Sequence, residues 1–394
     1  MNTTTDAFSN MVVCDTHTIN NMEVCGSHVI NIMEVCGTHT MAIARSGLRQ
    51  LLPANVRLLS GPGCPVCVTP PEVIDAVLRL TEGVTVINSS GNADSLVKSD
   101  ESEKPQDPHR ISAGDIPIIT TYGDMIRVPG SRRGDSLMRR KAMGADVRIV
   151  YSPLDAVQIA RDNPQREVIF LGVGFETSAP GTAAAIETAS REGLTNFSVF
   201  SMLKMLEPSI RALTADPSFN VQGFLCPGHV AVILGEKGMR FFSDDLHFPA
   251  VISGFETEDL LKSVTMLLRQ IRLGEAKLEN EYTSVVMPEG NLMAQETIAR
   301  CFVPRDDNWR GLGRIAQSGY GIRETFAAYD AERKFDIRIG EPAANAACRC
   351  GDVIRGMLDP RECPLFGTVC VPEDPEGPCM VSSEGACAAA WKYR

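Results

Sequence analysis

A cysteine three residues ahead of a histidine offers a soft thiolate and an imidazole to one metal ion. The chain spells this phrase at Ile32-Met33-Glu34-Val35-Cys36-Gly37-Thr38-His39-Thr40. The apolar run before Cys36 reads as a strand, Gly37 permits a sharp turn, and Met41 to Leu52 reads as an amphipathic helix stopped by Pro53. Cys36 and His39 therefore stand at a strand-to-helix turn from which both side chains can reach one ion. Thiolate plus imidazole suits Fe(II), Ni or Zn. A buried structural cysteine beside a backbone-bonded histidine is the competing reading. Two imperfect copies, Cys14 with His17 and Cys25 with His28, precede it at a spacing of 11 residues. Only the third copy runs into the full helix, so the chemistry is assigned to Cys36 and His39.

More thiols follow. Cys64-Pro65-Val66-Cys67 comes after a strand at Val56–Ser60 and before a helix start at Thr69-Pro70-Pro71-Glu72, which has the form of a capping box. A helix N-terminus lowers a thiol pKa from about 8.5 toward 7 or below. Such a pair can cycle between dithiol and disulfide; half of a zinc site is the competing reading. Near the end, Cys348, Cys363, Cys370 and Cys387 are separated by 14, 6 and 16 residues, with Cys350 and Cys379 between them. That wide spacing favours an iron–sulfur cubane over the paired knuckles of a structural zinc site, and unligated thiols are the third reading. Residues 340–394 are rich in Cys, Gly and Pro, and such a segment needs a metal or disulfides to hold a fold. Glu176, in Gly174-Phe175-Glu176-Thr177-Ser178, and His229, in Cys226-Pro227-Gly228-His229, each follow a strand. Ligands of α/β sheets bind beyond the carboxyl ends of strands, which makes the two candidate polar groups of a shared cleft. A helix-capping glutamate and a turn histidine are the plainer readings. Cys226 and Cys301 read as ordinary buried thiols.

The elements that position these residues follow from composition and period. The chain has 394 residues, 44% of them apolar, which is material for two or three domains. A net charge of −11 argues against a nucleic-acid or anionic-membrane surface. Met1 to Asn10 lack a basic stretch, and no apolar run is long enough to span a bilayer, so the expected location is cytoplasmic. In a reducing compartment, thirteen cysteines, an odd number, point to metal ligation or redox work rather than a disulfide framework. Strand and helix alternate from residue 32 to 272, and Val168–Gly174 is apolar throughout, as a parallel strand covered on both faces is. The expected fold is α/β: two parallel-sheet α/β domains and a small loop-rich C-terminal iron–sulfur domain. The expected divisions are a repeat segment at 1–34, a first α/β domain at 35–150 with a polar insert at 88–115, a second at 151–280, and the cysteine-rich domain at 281–394.

Together these phrases resemble the hydrogenase maturation (formation) protein HypD family. The resemblance rests on MEVCGTHTMAIARSGLRQLLP, GPGCPVCVTP, YGDMIRVPGS, ADVRIVYSPLDA, FLGVGFETSAPGTAAAI, CPGHVAVILG and CPLFGTVCVPEDPEGPCMVSSEGACAA, in the family's order. It implies a [4Fe–4S] cluster on Cys348, Cys363, Cys370 and Cys387, with Cys350 a neighbour that could exchange with Cys348. It implies a scaffold that assembles the Fe(CN)2CO unit of [NiFe]-hydrogenase, with this unit as transient cargo. The partners implied are a small HypC-type chaperone, HypE with HypF for cyanide delivery, and, indirectly, the hydrogenase large-subunit precursor. Cys36 would hold the iron with His39 nearby, and Cys64 and Cys67 would relay electrons to the cluster. Glu176 falls in the family's GFETT-type motif and His229 in its PGHV motif. The chain departs from the family in Ser178 for threonine, in its N-terminal repeat and in the polar insert. The alternative function is an iron–sulfur thiol–disulfide oxidoreductase acting on a protein disulfide, with no role for Cys36; a redox-inactive zinc protein is the third.

Overall fold

The computed structural model describes residues 29–83, 116–341 and 347–393. The first two copies of the repeat, with Cys14, His17, Cys25 and His28, and the insert at 88–115 lie outside the described residues.

Apolar, β-branched runs form the central strands of the parallel sheets, five of which are buried along their whole length. Strands β1 (Ile30–Glu34) and β2 (Val56–Ser60) begin the chain's first sheet. Strands β3 (Ile118–Thr121), β4 (Val147–Ile149), β5 (Val168–Gly174) and β6 (Phe197–Leu203) form a second, parallel sheet in the order β4-β3-β5-β6. Every residue of β5 and β6 is buried, as strands covered by helices on both faces require. The chain then returns with β7 (Gly223–Pro227), β8 (Ala250–Ser253) and β9 (Leu278–Asn280), which complete a five-stranded parallel sheet in the order β2-β1-β7-β8-β9. The α/β class with parallel sheets is thus as expected.

The sheets do not follow the expected division near residue 150. Strands before and after that point pair in register in both sheets: Ile118 lies opposite Val168, and Glu34 opposite Leu225. Periodicity shows that strands alternate with helices but not which strands become neighbours, because a parallel connection is a crossover that can skip positions.

After β9 come a helix at Leu292–Cys301 and an antiparallel hairpin of β10 (Phe302–Trp309) and β11 (Gly313–Ile322). The hairpin packs beside β6, with the Ser201 hydroxyl donating to the Tyr320 carbonyl at 2.7 Å. The cysteine-rich segment, 347–393, contains only short helices. Its helix Ala386–Lys392 packs on the helix Gly37–Ser46 that follows β1, and Pro378–Val381 packs on the short helix Pro65–Val68. One continuous core joins Met33, Cys67, Val173, Phe224, Cys350 and Cys379, and so ties both sheets to this segment.

The capping box expected at Thr69 and Glu72 does not form. Pro70 is the N-cap of the helix Pro71–Leu80, without a side-chain cap, and Thr69 closes the preceding short helix by donating its hydroxyl to the Pro65 carbonyl at 2.9 Å. Among the described residues, no helix is long and apolar enough to cross a membrane.

Candidate functional site

Cys36 is the extended N-cap residue of the helix Gly37–Ser46 and is only 7% exposed. The backbone N–H groups of Thr38 and His39 point at its sulfur, but burial dominates and pushes the thiol up to about 12, with Glu384 and Glu34 adding to the rise. Glu34, the last residue of β1, is fully buried directly behind it. Its carboxylate accepts the Cys36 N–H at 3.1 Å and the Thr40 hydroxyl at 2.5 Å. Burial pushes Glu34 up to about 7 despite these donors. Two glycines make the turn possible. A Cβ at Gly63 would come within 2.2 Å of the Cys36 nitrogen, and one at Gly37 within 2.5 Å of the Glu384 Cβ. The Cys36 turn is thereby pressed against the loop that carries Cys64, with the Gly37 N–H donating to the Gly63 carbonyl at 3.1 Å.

His39 is fully buried, its Nε2 hydrogen-bonded to the Gly254 carbonyl at 2.9 Å. A carbonyl can only accept, so Nε2 carries the proton, and Nδ1, without a partner among the described residues, keeps its lone pair. Burial pushes the ring down to about 4, which leaves it neutral near pH 7. Phe255 lies between the two predicted histidines, 4.7 Å from the His39 ring and 3.9 Å from the exposed His229 ring. Glu176 follows β5 in the four-stranded sheet whereas His229 follows β7 in the five-stranded one, so the two candidates are carried by different sheets. Glu176 accepts the Leu206 N–H at 2.8 Å, and burial pushes its carboxyl up to about 7.

Cys64 is the N-cap of Pro65–Val68, and its sulfur accepts the Cys67 N–H at 3.2 Å while its thiol faces the Ser382 hydroxyl at 3.3 Å. The expected lowering of the pair's pKa does not describe Cys67. That helix is a single turn, and burial together with the sulfurs of Cys379 and Cys64 pushes the Cys67 thiol up. Cys379 is the junction that sequence reasoning missed. Its sulfur neighbours those of Cys350, Cys387 and Cys67, and these neighbours hold it well below the usual thiol range. The Cys387 N–H adds a contact at 3.4 Å. Cys348 and Cys350 share a hydrogen bond at 3.2 Å, which holds Cys348 down at about 7. Cys370 accepts the Glu376 N–H at 3.4 Å.

Cys348, Cys350, Cys363, Cys370 and Cys387 line one small enclosure, with Val353, Leu365, Phe366 and Met380 as apolar wall. Gly377 lets the backbone close on it, since a Cβ there would lie 2.6 Å from the Cys350 sulfur. Among the described residues, no three His, Cys, Asp or Glu side chains stand in the arrangement of a single-ion site. A set of soft thiols in an apolar wall fits an iron–sulfur cluster better than a hard cation.

Sequence reasoning also missed Glu34 and Glu384. The signal for Glu34 was present: an acidic residue inside an otherwise apolar strand. Glu384 reaches the site only through tertiary packing, where it accepts the Thr38 hydroxyl at 2.7 Å.

A family model for HypD, described as "Hydrogenase formation hypA family", matches residues 4–104 and 100–394. The chain belongs to the HypD family. It is 43% identical to the hydrogenase maturation factor HypD2 of Bradyrhizobium diazoefficiens over 361 residues, 90% of this chain and 87% of that one. It is 43% identical to the hydrogenase maturation factor HypD of Azotobacter vinelandii over 360 residues, 90% of this chain and 86% of that one. The HypD of Escherichia coli K12 is 42% identical over 356 residues, again 90% of this chain and 87% of the relative. As a HypD family member, the chain is a hydrogenase maturation factor.

Proposed function

We propose that this chain is the scaffold and redox protein on which the Fe(CN)2CO unit of [NiFe]-hydrogenase is assembled, with the iron held at Cys36 together with a HypC-type partner. HypE, working with HypF, would deliver cyanide, and the hydrogenase large-subunit precursor would receive the finished unit indirectly. One observation carries the reading: Cys36 is packed against the Cys64 loop, and from Cys67 a line of sulfur contacts runs through Cys379 to Cys350, Cys348 and Cys387. An assembly site and an electron source would thus be joined through protein thiols.

Iron binding requires the Cys36 thiolate, and a cation at the sulfur reverses the effect of burial, so loading releases a proton. Neutral His39, fixed by the Gly254 carbonyl, puts no competing positive charge beside the iron. Oxidation of Cys64 and Cys67 to a disulfide releases two electrons and two protons. In the reverse direction, the thiolate of Cys379 attacks the Cys67 sulfur, which leaves a Cys67–Cys379 disulfide and a Cys64 thiolate. The Cys350 thiolate, whose sulfur neighbours that of Cys379, can then attack the Cys379 sulfur, which forms a Cys350–Cys379 disulfide and frees the Cys67 thiolate; two electrons, supplied singly, and two protons would return that disulfide to thiols. Cys363, Cys370 and Cys387, with Cys348 or Cys350, would hold a [4Fe–4S] cluster, which supplies single electrons when bound.

The alternative, an oxidoreductase acting on a protein disulfide, needs an accessible thiol pair. Cys64 and Cys67 are 6% and 2% exposed, which speaks against it. The test is anaerobic co-purification with a HypC-type partner followed by infrared spectroscopy. Bands of CO and cyanide are expected in the native protein and absent in Cys36→Ala. Bands that persist in the variant would overturn the assignment of the iron to Cys36.

A further inference from the structure

A cavity of about 630 Å³ opens between β2 and the cysteine-rich segment, away from the thiols described above. Its volume falls in the range of small-molecule sites, about 300–1,000 Å³. Three guanidinium groups from separate parts of the chain line it: Arg49, Arg57 and Arg355. Their states differ. Arg355 is paired with Asp352 at 2.5 Å. Arg49 is half-buried, yet its one hydrogen bond among the described residues runs from Nε to the Leu58 carbonyl at 3.3 Å. Arg57 is exposed on β2 and has no side-chain partner among the described residues.

A guanidinium presents five N–H donors in a planar fork, and that fork matches two oxygens of a carboxylate or phosphate. Arg49 uses one of its donors, and its partial burial withdraws the water that would serve the rest. The carboxylates on the same wall do not serve them. Asp359 accepts from the Arg361 N–H at 2.9 Å and from its Nε at 3.1 Å, and Glu362 accepts the Asp359 N–H at 2.9 Å. Glu34 and Asp359 stand near the Arg49 charge without a hydrogen bond to it, so the remaining donors of Arg49 and all of those of Arg57 are without a partner among the described residues. The remaining lining includes Val56, Leu58, Phe219 and Met357, a surface suited to an apolar body.

We propose that this cavity binds a small organic anion, a carboxylate or a phosphate ester. Its charged end pairs with Arg49 and Arg57, and its apolar body lies on Phe219 and Met357. The site is placed to sense or affect the Cys36 turn. Arg49 also lines an adjoining cavity of about 100 Å³ that includes Thr40 and Ser60, and the Thr40 hydroxyl bonds to Glu34 behind Cys36.

The test is anaerobic calorimetric titration of the full chain with phenyl phosphate, benzoate, inorganic phosphate and phenol. At least one of the two aromatic anions is expected to bind saturably, and which one binds distinguishes a phosphate from a carboxylate ligand. Loss of a charge-assisted contact in Arg57→Gln should weaken that binding about tenfold or more. Arg49→Gln should weaken it further. Arg57 is exposed, so its variant is expected to keep the native melting temperature and visible spectrum, and it decides the matter if Arg49→Gln does not fold. Binding of neither aromatic anion overturns the proposal. So does inorganic phosphate or phenol binding as tightly as the aromatic anions, and so does undiminished affinity in Arg57→Gln.

Discussion

The sulfurs of Cys67 and Cys379 are neighbours, although the two come from opposite ends of the chain. This contact is where the loop of Cys64 and Cys67, beside the proposed assembly site, meets the cysteine-rich segment. Replacing Cys379 with serine keeps the size of the side chain but removes the exchangeable sulfur. The Cys64–Cys67 pair should then lose its redox link to the other thiols. The expected result is a protein that keeps its cluster absorbance but no longer reduces a Cys64–Cys67 disulfide when supplied with a one-electron donor. The readout is thiol alkylation followed by mass spectrometry. Unchanged reduction of the pair in Cys379→Ser would show that electrons reach it by another route.

Glu176 makes a pH-dependent prediction. Its Oε1 accepts the Leu206 N–H while Oε2 has no partner among the described residues, and burial raises the carboxyl from 4.5 to about 7. The folded state binds the proton more tightly than the unfolded state does. The resulting stability is therefore fully present below pH 4.5 and lost as pH rises through about 7. Glu176→Gln keeps the acceptor for Leu206 and removes the titration. Its stability relative to the native chain should rise between about pH 5 and pH 8, by up to about 3 kcal/mol. Denaturation midpoints at the two pH values check this, and a difference that does not change with pH would refute it.

How far the sequence reveals this molecule depends on the range of the interaction concerned. Local features are legible: the all-apolar run Val168–Gly174 forms β5 along its full length, and Cys36 does sit at a strand-to-helix turn. The interleaving of the two sheets is not legible, because strand order is set by crossovers that leave no periodic trace. The β10–β11 hairpin is also hidden. Pro304 interrupts an already charged run, and such a strand survives only outside a sheet interior. Cys379 and Glu384 acquire their roles from contacts with Cys67 and Thr38, far away in sequence. Their spacing within the C-terminal segment carries no sign of those partners.

Gly63 tests whether the packing of the two loops matters to iron binding. A Cβ there would meet the backbone nitrogen of Cys36 at 2.2 Å, and backbone cannot rotate aside as a side chain can. Gly63→Ala should cost about 1–3 kcal/mol, as overpacking does. It should also shift the Cys36 turn and lower iron loading at Cys36. Gly340→Ala is the control, since nothing lies within 4 Å of a Cβ built there. Melting temperature and infrared band intensity measure the two effects, and equal behaviour of the two variants would remove the packing argument.

Metal removal should act on one part of the chain first. Residues 347–393 contain only short helices around the thiol-lined enclosure, whereas β5 and β6 are buried at every residue. If the proposed cluster is held there, a segment with so little regular structure would draw folding free energy from it. Treatment of the anaerobic protein with an iron chelator and oxidant should therefore open 347–393 to limited proteolysis while the fragment containing β3 to β6 persists. The helix Ala386–Lys392 packs on Gly37–Ser46, so loss of the segment also uncovers the helix that begins at Cys36. A second expected effect is faster alkylation of Cys36 in the stripped protein. If the digestion pattern and the Cys36 alkylation rate are the same with and without the metal, the segment holds its fold through side-chain packing alone.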